Sequence, residues 1–367
     1  MDDTFETQVR QVHEQALSSG ALIFTPTKTE TLYQAGAAFE VRLAPSLAKK
    51  PVAGEAEVAQ RSKPWKNPFL PYDERLLVKT LREHVILLNK FCVVPGHILV
   101  PQTDPLNASD FAAVWSCFRQ THIRHHVAFY NCGPASGASQ PHKHIQLLPL
   151  PAEQTAPPIG ALIEETPSVP GKLPIHSLDR VYVPFRIARL EFVHACARLS
   201  SEQQLAAVGD TTATTVEEQD AVVGRYLHRI FLSLMHASQL AGALSPDEIA
   251  LRASATSTPS TPLAKCPPVL SPPAATRHSY NVVLTREFML VVPRKHDRAQ
   301  GIAINALGFA GLLLAKSSHD LSVLHALSVP GLLRQLAFAS PAEMTDNHAE
   351  EADSSAARDS LVDADTP

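Results

Sequence analysis

No run of this 367-residue sequence approaches the roughly 18 consecutive apolar residues that a membrane-spanning helix needs. Cysteine is scarce. Cys92, Cys117, Cys132, Cys196 and Cys266 form neither a close pair nor a ligand cluster, which argues against a disulfide framework and against a tetrahedral thiolate zinc site. Such usage fits a reducing compartment. The opening MDDTFETQVR is acidic at its start and lacks the basic region and apolar run of a secretory signal, so a cytoplasmic protein is expected. A basic surplus is missing too. The formal charge is −4, and positions 341–367 hold eight acidic residues against one basic residue, Arg358, so the other 340 residues sum to +3. That is too mild for a surface that grips duplex nucleic acid, although a few well-placed groups can serve a small anion. No internal repeat occurs at solenoid periods. What the chain does have is apolar material, 45% of its residues, enough for one large core or a core with a smaller second unit.

Residues 7–19 have the pattern of a helix ending at Gly20, and ALIFTPTKTETLYQAGAAFEVRLAP that of extended segments around a turn. From Pro51 to Pro71, proline, lysine and small residues predict an irregular crossing. The runs HVILLNKF and HILVPQ are strand candidates about a VPG turn, and ASDFAAVWSCFRQ has helical spacing behind a cap at Asn107 or Ser109. Two more strands follow, HHVAFYN and HKHIQLLPL, joined by the small-residue loop CGPASGASQP. This order predicts an α+β unit with mostly antiparallel pairing. Further on, a helical run is expected from Phe185 through Ile187, Leu190 and Phe192 toward His194, and another from Ala221, with GDTTATTVEEQD exposed between them. Ser, Thr, Ala and Pro dominate from Ala253 to Thr276, a flexible surface excursion by composition. SYNVVLTREFMLVVPR predicts two strands about Thr285 to Glu287, GFAGLLLAK a short apolar helix, and VPGLLRQLAF a last helix. The tail beyond Ser340 has too little apolar area to offset its ordering entropy.

The sharpest local feature is SQPHKHIQLLPLP, from Ser139 to Pro151. Strand alternation puts His142, His144 and Gln146 on one face and Lys143, Ile145 and Leu147 on the other. A core strand does not ordinarily spend three successive inward positions on nitrogen-bearing groups, because each needs a hydrogen-bond partner. An exposed edge, a satisfied structural pair of histidines or two ligands of a metal would account for the pattern. So would an imidazole acting as a nucleophile on phosphorus, since neutral histidine keeps a free nitrogen near neutral pH. The preceding loop offers what that last role requires: Gly133 and Gly137 permit close backbone approach to a phosphate, while Ser136, Ser139 and Gln140 add donors. Lys143 reads either as a solvated alternating position or as a ligand contact. Lys90, Arg294 and Lys295 are candidate anion contacts, with surface solubility as the alternative. Asn281 and Asn89 either bind nucleotide or satisfy backbone near a strand end.

Taken together, NCGPASGASQPHKHIQLLPLP resembles the histidine-triad superfamily, and within it the branch of the diadenosine tetraphosphate phosphorylases, or ATP adenylyltransferases. Gln146 stands where most of that superfamily has a third histidine, which resembles the transferase branch rather than the small hydrolases. NPFLPYDERLLV, LNKFCVVPGHILVPQ, SYNVVLTREFMLVVPR and GIAINALGFAGLLLAK extend the similarity over most of positions 20–151 and 278–316. The resemblance implies a HIT-like fold, a twisted and mainly antiparallel sheet flanked by helices. It implies a catalytic core of residues 1–205, a helical and flexible insertion at 206–277, the rest of the core at 278–340 and a disordered acidic tail at 341–367.

By the same resemblance His144 is the nucleophile that becomes adenylylated, His142 supports it, and Gln146 bonds a phosphoryl oxygen. Asn131, Ser136, Gly137, Ser139 and Gln140 surround the phosphates, with Lys90 and Asn281 as further substrate-binding candidates. The implied substrates are diadenosine tetraphosphate and inorganic phosphate, giving ATP and ADP. Hydrolysis of the same substrate to AMP and ATP, or nucleotide binding without turnover, are the alternatives. No tightly bound cofactor and no metal ligands are assigned. Mg2+ can accompany the nucleotide, because a divalent cation neutralises polyphosphate oxygens without a protein cage.

Overall fold

The computed structural model describes residues 4–49, 71–81, 83–101, 106–121, 125–139, 143–167, 184–199, 215–238 and 279–340. The excursion from Ala253 to Thr276, the acidic tail and nearly all of the crossing from Pro51 lie outside the described residues. Helix α1 (Phe5–Ser18) leads into β1 (Ile23–Phe24) and the hairpin of β2 (Lys28–Gln34) and β3 (Ala37–Leu43). Then come β4 (Leu77–Leu81), β5 (His84–Leu88), β6 (Phe91–Cys92) and β7 (Ile98–Pro101). Helix α2 (Ala108–Gln120) precedes β8 (His126–Cys132), β9 (His144–Pro149) and α3 (Ile159–Glu165). Next are β10 (Ala195–Arg198), α4 (Val216–Ala237), β11 (Ser279–Leu284), β12 (Phe288–Arg294), β13 (Arg298–Ala299) and β14 (Ile302–Ala303). The last elements are α5 (Ala306–Phe309), β15 (Leu312–Ala315), α6 (Ser318–Leu327) and α7 (Val329–Leu336).

Eight strands form one sheet in the order β10-β12-β11-β8-β9-β7-β5-β4, every neighbouring pair antiparallel. The segment Tyr280–Pro293 thus joins the sheet that holds the histidine strand. Strand alternation divides the core in two. Ile145, Leu147, Tyr130 and Val282 point to the face closed by α2 and α4, whereas Phe129, Leu148, Val283 and Leu290 point to the face covered by α3, α5, α7 and a three-stranded sheet β15-β3-β2. The architecture is α+β, with an antiparallel sheet flanked by helices.

Helix α2 starts where its sequence predicts. Asn107 accepts from the Ser109 and Asp110 amides, and Asp110 returns a bond to the Asn107 amide at 2.7 Å, a reciprocal cap that satisfies orphan donors at the helix start. Thr215 and Glu218 cap α4 in the same way, so VEEQD belongs to the helix and not to a connection before it, although Val216 to Gln219 are exposed as expected. The two helices pack through Phe111 and Phe231, whose ring centroids are 5.7 Å apart, and through a two-pronged Arg119–Asp220 pair at 2.9 and 3.0 Å. No helix among the described residues is long and apolar enough to cross a membrane.

Two segments depart from their sequence patterns. Phe185 to His194 is not helical: Phe185 exchanges backbone hydrogen bonds with Cys196 at 2.9 Å in both directions, and the chain continues into β10 at the sheet edge. Bridges from Phe185 to Cys196 and from Phe192 to Ala339 take up part of this backbone, and these contacts override the local apolar spacing. In GFAGLLLAK only the opening residues close α5. Gly311, at φ +91°, ends the turn, and Leu312–Ala315 runs as a strand parallel to β3. A short, wholly apolar run reads equally well as a buried helix or a buried strand until its partner is known.

The approach of α4 to α2 is close enough to test. A Cβ at Gly224 would lie 2.7 Å from the Ala112 Cβ and against the Ala108 carbonyl oxygen. Gly224→Val should therefore lower unfolding free energy by about 1–3 kcal/mol through overpacking, despite valine's better helix propensity. Urea denaturation checks this; an unchanged or raised midpoint would show that the helices can move apart freely.

Candidate active site

Strand β9 sends His144 and Gln146 to one face, as alternation predicts, and Leu148 continues that face into the core. The β8–β9 register pairs Phe129 with Gln146; continued by two residues, it sets Asn131 level with His144, and Asn131 is in turn the partner of Asn281 on β11. His144, Asn131 and Asn281 therefore form a row across three adjacent strands. His142 and Gln140 lie outside the described residues.

Gln146 is oriented by a chain of hydrogen bonds that the sequence reading did not identify. The Phe91 amide, which can only donate, gives its proton to Asn89 Oδ1 at 3.1 Å. Asn89 must then turn Nδ2 toward His97 Nδ1, 3.2 Å away. With Nδ1 accepting, the His97 proton sits on Nε2 and is donated to Gln146 Oε1 at 3.0 Å. The assignment of amide ends and tautomer follows from the network. It leaves the Gln146 amide nitrogen as the end free to donate elsewhere. His97 is buried, and desolvation is the largest cause holding its pKa down to about 4; the Gln146 bond opposes that shift and nearby His144 adds to it. Neutral His97 keeps the chain fixed near pH 7. Asn89, ambiguous by sequence, is its first adjustable member. His97 became visible only with the β7–β9 register, which sets the start of HILVP beside Gln146.

The loop after β8 turns on two glycines. Gly133 has φ +79°, Pro134–Ser136 makes one tight turn, and Gly137 has φ +76°. A Cβ at Gly137 would lie 2.5 Å from the Ile304 carbonyl oxygen, so both backbone angle and space call for glycine. The Ser136 hydroxyl donates to the Gly133 carbonyl at 2.6 Å, and the Ser136 carbonyl accepts from Asn281 Nδ2 at 3.0 Å and Arg294 Nη1 at 3.1 Å. Asn131 Oδ1 accepts from Asn281 Nδ2 and from the Ala306 amide, both at 2.8 Å.

These bonds sort the candidates. Asn281 and the Ser136 side chain are buried and committed to holding the loop, which places them behind the site as supports. Asn131 keeps its Nδ2 donor unspent among the described residues, Ser139 is exposed, and Gly137 contributes backbone. Lys90 is exposed in the turn after Asn89, its ammonium 6.0 Å from the Phe91 ring centroid. Lys143 corrects its sequence reading: it is neither solvated nor turned toward the row. Its side chain is wholly buried on the opposite face, donating to Asp110 Oδ2 at 2.8 Å, while Asp110 Oδ1 lies 3.2 Å from His84 Nε2. The residue next to His144 is thus anchored to the first turn of α2. Among the described residues no three His, Cys, Asp or Glu side chains gather as a metal-binding group.

A second buried imidazole, His194, accepts the Ile187 amide at Nε2 (2.7 Å) and is paired through Nδ1 with the Phe192 carbonyl (2.8 Å); burial likewise lowers its pKa to about 4. Both folded values lie below the ordinary 6.5, so the unfolded chain takes up these protons first. Stability should be full above about pH 6.5 and fall as pH drops toward 4, on the order of 3 kcal/mol per residue at the limit. His97→Gln, which can keep a donor toward Gln146, should flatten part of that slope in urea titrations at a series of pH values. An unchanged slope would mean that His97 takes up its proton in the folded state.

Comparison with known proteins agrees with this geometry. Residues 1–165 match the model of the Ap4A phosphorylase N-terminal domain and residues 188–339 that of the ATP adenylyltransferase C-terminal domain. The chain is 28% identical over 345 residues to diadenosine 5',5'''-P1,P4-tetraphosphate phosphorylase 2 of Saccharomyces cerevisiae, covering 86% of this chain and 89% of that protein. It is 25% identical over 333 residues to Protein APA1 of the same yeast, covering 84% and 86%. The crystal structure of yeast Ap4A phosphorylase Apa2 in complex with Ap4A superposes with a TM-score of 0.61 at 22% identity, covering 92% of this chain and 99% of that one. The AMP complex of Apa2 gives 0.60 at 23% identity, covering 92% and 98%. Two models for successive parts of one enzyme, matched in order along most of the sequence and meeting in one sheet through the β8–β11 pair, establish that this chain belongs to the Ap4A phosphorylase/ATP adenylyltransferase family.

Proposed function

We infer that the chain is a diadenosine tetraphosphate phosphorylase, a nucleotidyltransferase that works through an adenylyl-histidine. His144 attacks the phosphorus bearing one adenosine; the new N–P bond replaces the P–O bond to the rest of the molecule, and ATP leaves. Inorganic phosphate then attacks the same phosphorus, the N–P bond breaks, and ADP leaves. Two in-line displacements give net retention, and one site can stabilise both transition states.

The observation that carries the reading is the Gln146 amide, beside His144 on one strand face and turned donor-outward by His97 and Asn89. A donor held in place before charge develops on a phosphoryl oxygen costs no reorganisation during reaction. The proposal gives Asn131, Ser139, Gln140 and the Gly137 backbone to the phosphates, His142 to support of His144, and Lys90 to the outer part of the polyphosphate. Asn281 and Ser136 act by holding the loop. Mg2+ enters with the nucleotide, bound by its oxygens. The proposed organisation is a catalytic core of 1–205 and 278–340 around the insertion 206–277, in a cytoplasmic protein.

His144→Ala should abolish the acid-labile adenylyl-enzyme, because no donor can replace the attacking nitrogen. Gln146→Ala should retain it and slow its formation by about 3–4 kcal/mol of barrier. Single-turnover reactions with adenosine-labelled substrate separate the two. Label on folded H144A at the wild-type rate would remove His144 from the role. Products formed with and without phosphate identify the acceptor: ADP made only when phosphate is present supports phosphorolysis, whereas AMP at the same rate in both would make the enzyme a hydrolase.

A further inference from the structure

Beneath the glycine loop lies a cation that the steps above leave without a role. Arg294, at the end of β12, is 2% exposed. Its Nη1 donates to the Ser136 carbonyl at 3.1 Å and to Asn281 Oδ1, and its Nη2 donates to the carbonyls of His296 at 2.7 Å and Ile304 at 2.9 Å. Phe309 lies under the guanidinium at 4.9 Å, and Nε is buried with no hydrogen-bond partner among the described residues. No carboxylate among the described residues makes an ion pair with it. Asp297 acts only from farther away, its own carboxylate lying 3.3 Å from Arg298 Nε. Burial lowers the guanidinium pKa to about 10, so the group is charged at neutral pH. A buried charge held only by carbonyl dipoles and a ring face is costly, and a fold that needed only a strut there could use a neutral one.

The geometry has a directional consequence. In a trans peptide the C=O of one residue and the N–H of the next point in opposite directions. Arg294 and Asn281 both grip the Ser136 carbonyl from beneath, so the Gly137 N–H is turned away from them. Apart from the tight turn's own contact with the Pro134 carbonyl, that N–H makes no hydrogen bond to another described residue. The left-handed backbone of Gly137, together with the packing of Ile304 against it, keeps the peptide from rotating.

We propose that Arg294 is a positioning residue for adenylyl transfer: by holding the Ser136 carbonyl it aims the Gly137 N–H at a nonbridging phosphoryl oxygen, and its uncompensated charge answers that of the polyphosphate through the loop. The inference rests on the adenylyl-transfer reading above. The guanidinium never touches the substrate. Charge and orientation come from one side chain, so a cation without the fork and a neutral donor affect them differently.

The test compares wild type, Arg294→Lys and Arg294→Gln in single-turnover adenylyl-enzyme formation with diadenosine tetraphosphate, alongside the rise in Tm that ATP gives each protein. R294K should form the intermediate within about tenfold of wild type and keep most of the ATP-dependent rise. R294Q should lose about 100-fold or more in rate, the scale of a removed oxyanion donor, and nearly all of the rise. A purely structural Arg294 would lower the Tm of both variants without ligand yet leave the ATP increment intact; that result, or R294Q reacting within threefold of wild type while folded, would overturn the proposal. If R294Q does not fold, wild type labelled at glycine nitrogen decides: ATP should move the Gly137 amide resonance downfield, and an unmoved resonance would overturn the proposal. A wild-type protein with neither adenylyl-enzyme nor ATP stabilisation would instead remove the adenylyl-transfer reading itself.

Discussion

A strand buried on both faces gives its polar side chains no water, and β9 is such a strand from His144 to Pro149. Each hydrogen-bonding group in and beside it must be met by protein or ligand, since an unmet one costs roughly 1–3 kcal/mol. Much of the surrounding polar structure answers that demand. On the helix side Lys143 meets Asp110, which also caps α2 and approaches His84. On the other side Gln146 meets His97, which meets Asn89, which meets a backbone amide. The interior polar groups of four segments are thus set by one strand whose two sides are dry.

The same demand explains how much could be read in advance. Alternation placed His144 and Gln146 on one face and Lys143 on the other, because a period of two depends only on the strand itself. The α2 cap was equally local, written in Asn107 and the residues just after it. Partners were not local: Lys143 finds Asp110, 33 residues earlier, and Gln146 finds His97, 49 residues earlier. Nothing in HILVP distinguishes a histidine that orients an amide from one that merely begins a strand. Short apolar runs failed for a related reason. Leu312–Ala315 became extended because β3 offered it a ladder, and the residues before β10 are held by bridges from Phe185 to Cys196 and from Phe192 to Ala339; none of these partners lies within the segment itself. Helix α3 was too short to give a pattern above its surroundings, and α6 buries only Leu324, so no apolar stripe marks it. Asn281 stood out as a polar residue in an apolar strand, but only the row across β8 and β11 shows that its amide is spent on the loop.

Two kinds of rigidity meet at the site. The glycine loop is fixed by backbone, through two left-handed residues and a close approach to Ile304. The donor on Gln146 is fixed by side chains whose orientation is set in sequence, each decided by the one before. A backbone N–H cannot reverse its polarity, so the relay has a permanent end at Phe91. Neither device needs a charged group in contact with the imidazole. That suits chemistry in which the nucleophile must keep an unprotonated nitrogen while the phosphate brings its own negative charge.

The β8–β11 pairing also has a consequence for synthesis. Asn131 and Asn281 are 150 residues apart along the chain, and the strands that carry them are direct neighbours. A nascent chain that has left the ribosome through β9 carries the imidazole but has only one side of β8 paired. Contacts of such long sequence separation form late and slowly. Until β11 arrives, that open strand edge is a template for other chains, and the growing polypeptide depends on protection there for as long as the residues from Pro149 to Leu284 take to be made.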